Sequence, residues 1–306
     1  MNFQRFSKQN IITNSLIITA YLLWNFAIGG IRTDHIFLIG LFLTCFYLTN
    51  GTRKFIIGFS IFIIYWIIYE AMRIVPNYEV STVHIREPYE IEKYLFGITI
   101  NNNIFTPNEY FNNNHSHLLD ILSGIFYINW VPIPLAFGIY LFFKDKLLFT
   151  KFALVFFITN IIGFIIYYIY PAAPPWYVDL YGFDLHLGVK GNTAGLARFD
   201  DLIGIPIFAN IYNKNANVLA AMPSLHSSYP VIVLFYSIKK NVNKWIINLF
   251  GVFMIGIWFS AVYSSHHYII DVFMGAIIAV FTIASFEKLC KYKIFNNYIK
   301  LFVQKI

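Results

Sequence analysis

The sequence predicts an all-α integral membrane protein with about eight transmembrane helices, on three observations. The 306 residues are 58% hydrophobic and only 12% charged, about half the charge of an ordinary soluble domain. Several apolar runs approach the roughly 20 residues that a helix needs to span a bilayer. The basic residues behind the net charge of +7 sit in short segments between those runs. Topology accounts for that placement better than a nucleic-acid partner does.

The first run, about 11–30, follows Arg5 and Lys8 as the core of a signal peptide would. It is too long for one and has no convincing cleavage site, so it reads as a retained span. The second run, 35–49, is the shortest; the others cover 54–75, 118–143, 149–170, 223–239, 244–262 and 267–288. They divide the chain into two N-terminal spans (1–53), a six-helix core (54–290) and a basic tail (291–306). With the N-terminus inside, the inner segments hold Arg5 and Lys8, Arg53 and Lys54, then Lys144, Lys146 and Lys151. They also hold Lys239, Lys240 and Lys244, and Lys288, Lys291, Lys293, Lys300 and Lys305. The outer segments hold only Arg32, Arg86, Lys93, Lys190, Arg198 and Lys214, spread over far more residues. This is the positive-inside pattern, and it predicts both termini in the cytoplasm.

Two outer segments are long. Residues 76–117 are Asn-rich and acidic and read as a loose polar connector or a lid; residues 171–222 are rich in Pro, Gly and aromatics. Cys45 lies in an apolar run and Cys290 in the basic tail, so no disulfide is expected. No zinc spacing, phosphate-binding loop or dinucleotide fingerprint occurs, and neither a metal nor a cofactor is predicted.

The chemistry-bearing residues gather at one face. His267 and Asp271 are four apart at the start of the last apolar run, so a helix puts them on one side. A carboxylate so placed orients the imidazole and leaves its other nitrogen free to attack or to move a proton. Ionisable groups inside a span are costly and mark function. His226 follows Pro223-Ser224-Leu225 at the start of the sixth run. Pro223 suits a first helical turn, where free N–H groups bind anions, and Ser224 adds a hydroxyl. Pro171 to Pro175 end the fifth run; Trp176 and Tyr177 read as an interfacial aromatic belt or, with Pro174, as substrate contacts. The Lys/Arg topology places all three clusters outside.

Together these clusters resemble the type-2 phosphatidic acid phosphatase superfamily, whose general pattern is K-x6-R-P, P-S-G-H and S-R-x5-H-x3-D. The chain departs from it. Ala261 replaces the third-motif arginine, Leu225 the second-motif glycine, Tyr170 the first-motif arginine, and Gly163 stands in place of the lysine. The departures are similar to those of the aureobasidin-sensitive inositol phosphorylceramide synthases. That branch also resembles Ala173-Pro174-Pro175-Trp176-Tyr177, Gly195-Leu196-Ala197-Arg198-Phe199-Asp200, Met222 to Ser227 and His266-His267-Tyr268 with Asp271, within about residues 165–275.

The resemblance implies a six-helix catalytic core of that superfamily. It also implies that His267 attacks phosphorus, that Asp271 orients it, and that His226 exchanges protons with the leaving and incoming alcohols. Arg198 is the expected replacement cation, then Lys190, with His266 and Arg73 weaker. Ser224 joins them at phosphate. Asp120 either binds a polyol headgroup or pairs with Arg73 or Arg198. The expected reaction moves the headgroup phosphate of a phospholipid, phosphatidylinositol first, to ceramide or a similar lipid alcohol, with no protein partner. The site faces outward from a multi-pass protein, and the short chain favours a bacterial inner membrane. A lipid-phosphate or polyprenyl-diphosphate phosphatase and a non-catalytic lipid-binding protein are the competing readings.

Overall fold

Helices form where apolar runs meet capping residues. In the computed structural model, which describes residues 6–72, 74–213 and 217–306, α1 (Lys8–Ile28) starts at Ser7, whose hydroxyl accepts the Asn10 N–H at 3.2 Å. After α2 (Thr33–Leu48), Thr49 caps α3 (Asn50–Ala71) by accepting the Thr52 N–H at 3.0 Å. The third run is therefore helical four residues earlier than its apolar pattern suggests, because the cap and not the first apolar residue sets the start.

The 76–117 segment is no loose connector. It folds into a 3₁₀ turn, α4 (Arg86–Phe96), a hairpin of β1 (Ile98–Ile100) and β2 (Asn103–Phe105), and α5 (Pro107–Asn113). Asn101 and Asn102 supply the hairpin turn with φ of 48° and 64°, which asparagine tolerates better than most residues. Thr106 and Glu109 form a reciprocal capping box on α5.

The fourth run is broken into α6 (His117–Ile128) and α7 (Pro132–Lys144). Pro132 and Pro134 lack the N–H groups that a continuous helix would need from them, so the chain restarts with Pro132 in a first turn. Asp145 then caps α8 (Lys146–Ile169), which stops before Pro171. The 171–222 segment carries α9 (Pro175–Tyr181), α10 (Ala197–Ile203) and α11 (Ile207–Tyr212). The Asp200 carboxylate accepts the Phe208 and Ala209 N–H groups at the start of α11. Last come α12 (Leu225–Lys240), α13 (Lys244–Tyr263), α14 (Ile269–Leu289) and α15 (Lys293–Val303), the last against α8.

Each of the eight predicted runs falls largely on helix, the fourth on two helices. Five stretches among the described residues are long and apolar enough to cross a membrane by themselves: α3, α6 with α7, α8, α13 and α14. α2 and α12 have 16 residues each, and α1 carries Asn10, Asn14 and Asn25 among its 21.

α12 is the hub, packed on α8, α13, α14 and α7. In lipid, helix association depends on close packing and on hydrogen bonds between helices. Gly275 of α14 lies against the Ser224 carbonyl, where a Cβ has no room, and the Ser228 hydroxyl donates to the Gly275 carbonyl at 2.7 Å. Tyr229 donates to Asn160 of α8 at 2.6 Å, and the Trp258 indole of α13 donates to the Ser227 carbonyl at 3.0 Å. Below these bonds lies a phenylalanine-rich core that includes Phe59, Phe142, Phe149, Phe152 and Phe156.

Candidate active site

The turn between α13 and α14 is tied down from both long segments. The His266 and His267 N–H groups both donate to the Ala261 carbonyl, at 3.1 and 3.0 Å. Ser265 is forced to φ 58°, an uncommon conformation for serine. Its neighbours hold it there: Trp176 N–H donates to its carbonyl at 3.0 Å, and its hydroxyl donates to Asn112 at 3.0 Å. The buried Asn108 amide spans the turn, donating to the Val262 carbonyl at 2.8 Å and the His267 carbonyl at 3.0 Å. On the far side, three strand-like segments lie side by side through His84, Ala172 and Ala220.

His267 and His226 meet inside this frame. His267 Nδ1 is 3.0 Å from the Ala221 carbonyl and 3.6 Å from Asp271 Oδ2. A carbonyl only accepts, so Nδ1 carries the proton and Nε2 keeps its lone pair. That Nε2 lies 3.2 Å from His226 Nδ1, which is also 3.1 Å from the Tyr127 hydroxyl. Asp271 Oδ2 accepts the Tyr268 N–H at 2.9 Å, and Ser224 N–H donates to the Asp271 carbonyl at 2.9 Å. The arrangement presents one unprotonated, oriented imidazole nitrogen beside a second imidazole.

The other predicted site residues separate into groups. Ser224 is fully buried at the α12–α14 seam, its hydroxyl accepting from Ser227 at 3.0 Å. Arg198 pairs with Asp120 (Nε to Oδ1, 2.6 Å), and Tyr263 donates to the same oxygen at 2.8 Å. Of its two expected pairings Asp120 thus makes the one with Arg198, and Arg73 lies outside the described residues. The guanidinium fits against Gly195, where a Cβ would lie 2.9 Å from one Nη, and Gly195 N–H donates to the Ser264 carbonyl at 3.0 Å.

His266 does not behave as the expected phosphate-binding cation. Its ring is stacked between Tyr212 (4.3 Å) and Tyr127 (5.6 Å), and Nε2–H donates to the Thr193 carbonyl at 2.9 Å. Burial, and then the neighbouring His267, push the imidazole down to about 3, so it is neutral. Lys190 is exposed on the 182–193 stretch, with no ion pair among the described residues. Trp176 and Tyr177 form no interfacial belt. They are buried with Ile85, Ala173 and Leu219 behind the turn, next to Pro174 at the start of α9.

Sequence reasoning missed Tyr127, Asn108, the Ala221 carbonyl and Glu92. Tyr127 sits in an apolar run and looks like core. Asn108 lies inside the Thr106-Pro107-Asn108-Glu109 capping signature, which announces a helix but not a clamp. Glu92 is fully buried, and its carboxylate accepts the Ile269 and Ile270 N–H groups at 2.9 and 3.2 Å.

The chain is 44% identical over 302 residues to the phosphoinositol dihydroceramide synthase of Bacteroides thetaiotaomicron, covering 98% of this chain and 99% of that one. It is 27% identical to the inositol phosphorylceramide synthase of Candida albicans over 81% of this chain and 51% of that protein. It is 34% identical to the catalytic subunit AUR1 of the Saccharomyces cerevisiae enzyme over 39% of this chain and 30% of that one. The chain thus spans about half the length of the Candida relative. No solved structure gives a significant match. The family model of the PAP2 superfamily matches residues 103–285, from β2 through α14, and the chain belongs to that superfamily.

Proposed function

We propose that this protein transfers phosphoinositol from phosphatidylinositol to a ceramide-type lipid alcohol through a phosphohistidine at His267. The chain is a lipid phosphotransferase of the PAP2 superfamily, and the names of its relatives supply the headgroup and the acceptor class. One observation carries the mechanism: His267 Nε2, deprotonated by the Nδ1 contact to Ala221, faces His226 Nδ1 at 3.2 Å.

In the first step the phosphoryl group enters between the two rings and His267 Nε2 attacks phosphorus. The bond to the diacylglycerol oxygen breaks, and His226 gives that oxygen its proton. In the second step the ceramide hydroxyl attacks phosphorus, its proton returns to His226, and the N–P bond breaks. Such proton transfer is typically worth about 10²–10⁴ in rate. Asp271 balances the positive charge that His267 gains in the intermediate. Arg198, held at Nε by Asp120, is assigned to the phosphoryl oxygens through its Nη atoms. A phosphodiester carries one charge, which suits a site with Gly163, Tyr170 and Ala261 in place of the family cations.

Two further features support lipid substrates. A shallow apolar cleft lined by Trp130, Ile133, Pro230 and Phe253 adjoins the site through Trp130, whose ring centroid lies 4.3 Å from that of His226. Acyl chains stay in hydrocarbon while headgroups react at its edge. The Lys/Arg distribution supports eight spans with both termini in the cytoplasm and the site on the extracytoplasmic side, and the Bacteroides relative supports a bacterial inner membrane.

The test uses purified protein in lipid nanodiscs with fluorescent ceramide and phosphatidylinositol, followed by thin-layer chromatography. A slower-migrating ceramide product that needs the donor and vanishes in His267→Ala is expected. No such product, with phosphate released from phosphatidic acid instead, overturns the transferase reading in favour of a phosphatase.

A further inference from the structure

The helix that carries Asp271 has an unusual start. Residue 268 is its N-cap, a position at which Ser, Thr, Asp or Asn normally accepts the N–H of the second or third helical residue. Here it is tyrosine, and no side-chain cap bond is made by it. The donors of the first turn must therefore be satisfied from elsewhere. Asp271 reaches back to the Tyr268 N–H at 2.9 Å. Ile269 and Ile270 N–H donate to Oε1 and Oε2 of Glu92, at 2.9 and 3.2 Å.

Glu92 is 177 residues away in sequence from Ile269, on α4, and lies before residue 103, where the match to the superfamily begins. It is fully buried. Beside it, Phe96 of α4 meets Phe273 of α14 with ring centroids 6.1 Å apart. A buried carboxylate with each oxygen on a separate main-chain donor fixes both the position and the tilt of that turn. His267 and Asp271 flank the two donors, so the same contact fixes the spacing of nucleophile and carboxylate. It also fills an anion site that the helix terminus would otherwise offer to a substrate phosphate one turn from His267.

We propose that Glu92 is a positioning residue for the phosphoryl transfer: from outside the stretch that matches the superfamily, it locks the N-terminus of α14 and thereby the geometry of His267 and Asp271. The inference rests on the His267 reading above and predicts a specific defect. Glu92→Gln keeps the size but presents one N–H₂ group to a main-chain N–H, so one of the two bonds is lost and the turn loosens. Misplacement on the scale of 1 Å costs as much as 100-fold in rate.

The experiment compares wild type, Glu92→Gln, His267→Ala and Glu90→Gln in nanodiscs. Glu90 is the control, an exposed neighbour on the same helix that pairs with Arg86. Expected for Glu92→Gln is a kcat lower by about tenfold or more, with the donor KM within about twofold and kcat referred to folded, monodisperse protein. Hydrogen exchange of the 266–272 backbone is expected to accelerate by a similar factor while that of 225–240 stays unchanged. Glu90→Gln leaves both unaltered. A full kcat in Glu92→Gln with wild-type exchange at 266–272 overturns the proposal. So does a loss of folded protein with normal kcat per molecule, which marks Glu92 as structural only. If wild type itself makes no ceramide product, the functional reading fails, and the exchange measurement still decides whether Glu92 locks the turn.

Discussion

Gly163 and Leu225 fit each other: a Cβ on residue 163 would lie 2.7 Å from one Leu225 methyl and 3.0 Å from the other. The sequence shows these residues as two separate departures from the superfamily pattern, a lysine lost on α8 and a glycine lost on α12. In the structure they are one compensated change, with the leucine occupying the space that the missing side chain leaves. Gly163→Leu is therefore expected to overpack the α8–α12 seam at a cost of about 1–3 kcal/mol. Adding Leu225→Ala should recover most of that cost. A double-mutant cycle by thermal unfolding measures the coupling, and additive single effects would show that the two sites are independent.

Asp120 and Arg198 form a second coupled pair. Tyr263 and Arg198 both donate to Asp120 Oδ1, so the carboxylate aims the guanidinium. Removing one donor to developing phosphoryl charge typically costs about 10²–10³ in kcat. Arg198→Ala is expected to show a loss of that order, and Asp120→Ala most of it, because the cation remains but is no longer held. The double variant should be little worse than either single one. Steady-state kinetics of all three decides it; fully multiplicative losses would mean that Asp120 acts on a headgroup independently of Arg198.

Asp271→Asn separates the roles of carboxylate and carbonyl at His267. An asparagine oxygen still accepts the Tyr268 N–H, and the Ala221 carbonyl still holds His267 Nδ1–H. What is lost is the negative charge 3.6 Å from the imidazole that becomes cationic in the proposed intermediate. A drop in kcat of about 10²–10⁴ is expected, with thermal stability little changed. A drop of less than about threefold would assign the orienting role to Ala221 alone.

How far the sequence discloses this architecture depends on what carries each feature. The membrane class and the meeting of His226 with His267 and Asp271 are written in side chains, through the apolar runs and the His-x-x-x-Asp spacing, and were legible. The break between α6 and α7 was also written, in Pro132 and Pro134, but apolar continuity masked it. The Ala221 carbonyl was not legible, because every residue has one and only the fold brings this one to His267. Glu92 is one of five glutamates in the 76–117 segment, and nothing local separates it from its neighbours. Its role comes from a contact 177 residues distant. His226, Ser224 and Asp271 could be named from sequence, but not that Ser224 faces the Asp271 backbone and is closed to solvent.

Glu92 also gives the protein a pH dependence whose sign follows from its burial. Desolvation pushes its carboxyl from 4.5 up to about 7, against the two main-chain N–H donors, with nearby Asp271 adding to the rise. The folded state therefore binds this proton more tightly than the unfolded chain between those values. The group's contribution to stability is fully present below about pH 4.5 and is lost as pH rises through about 7, a change of about 3 kcal/mol. His266 acts in the opposite sense. Its imidazole is pushed from 6.5 down to about 3, so its contribution is present above about pH 6.5 and is lost on acidification. The two slopes oppose each other between about pH 4.5 and 6.5, which flattens the wild-type curve. Glu92→Gln removes one of them. Its melting temperature relative to wild type is expected to rise steadily from pH 5 to pH 8, while its own stability falls more steeply than wild type's on acidification. Thermal unfolding in detergent across that range checks it, and a difference between the two proteins that does not vary with pH would show that Glu92 titrates normally in the folded state.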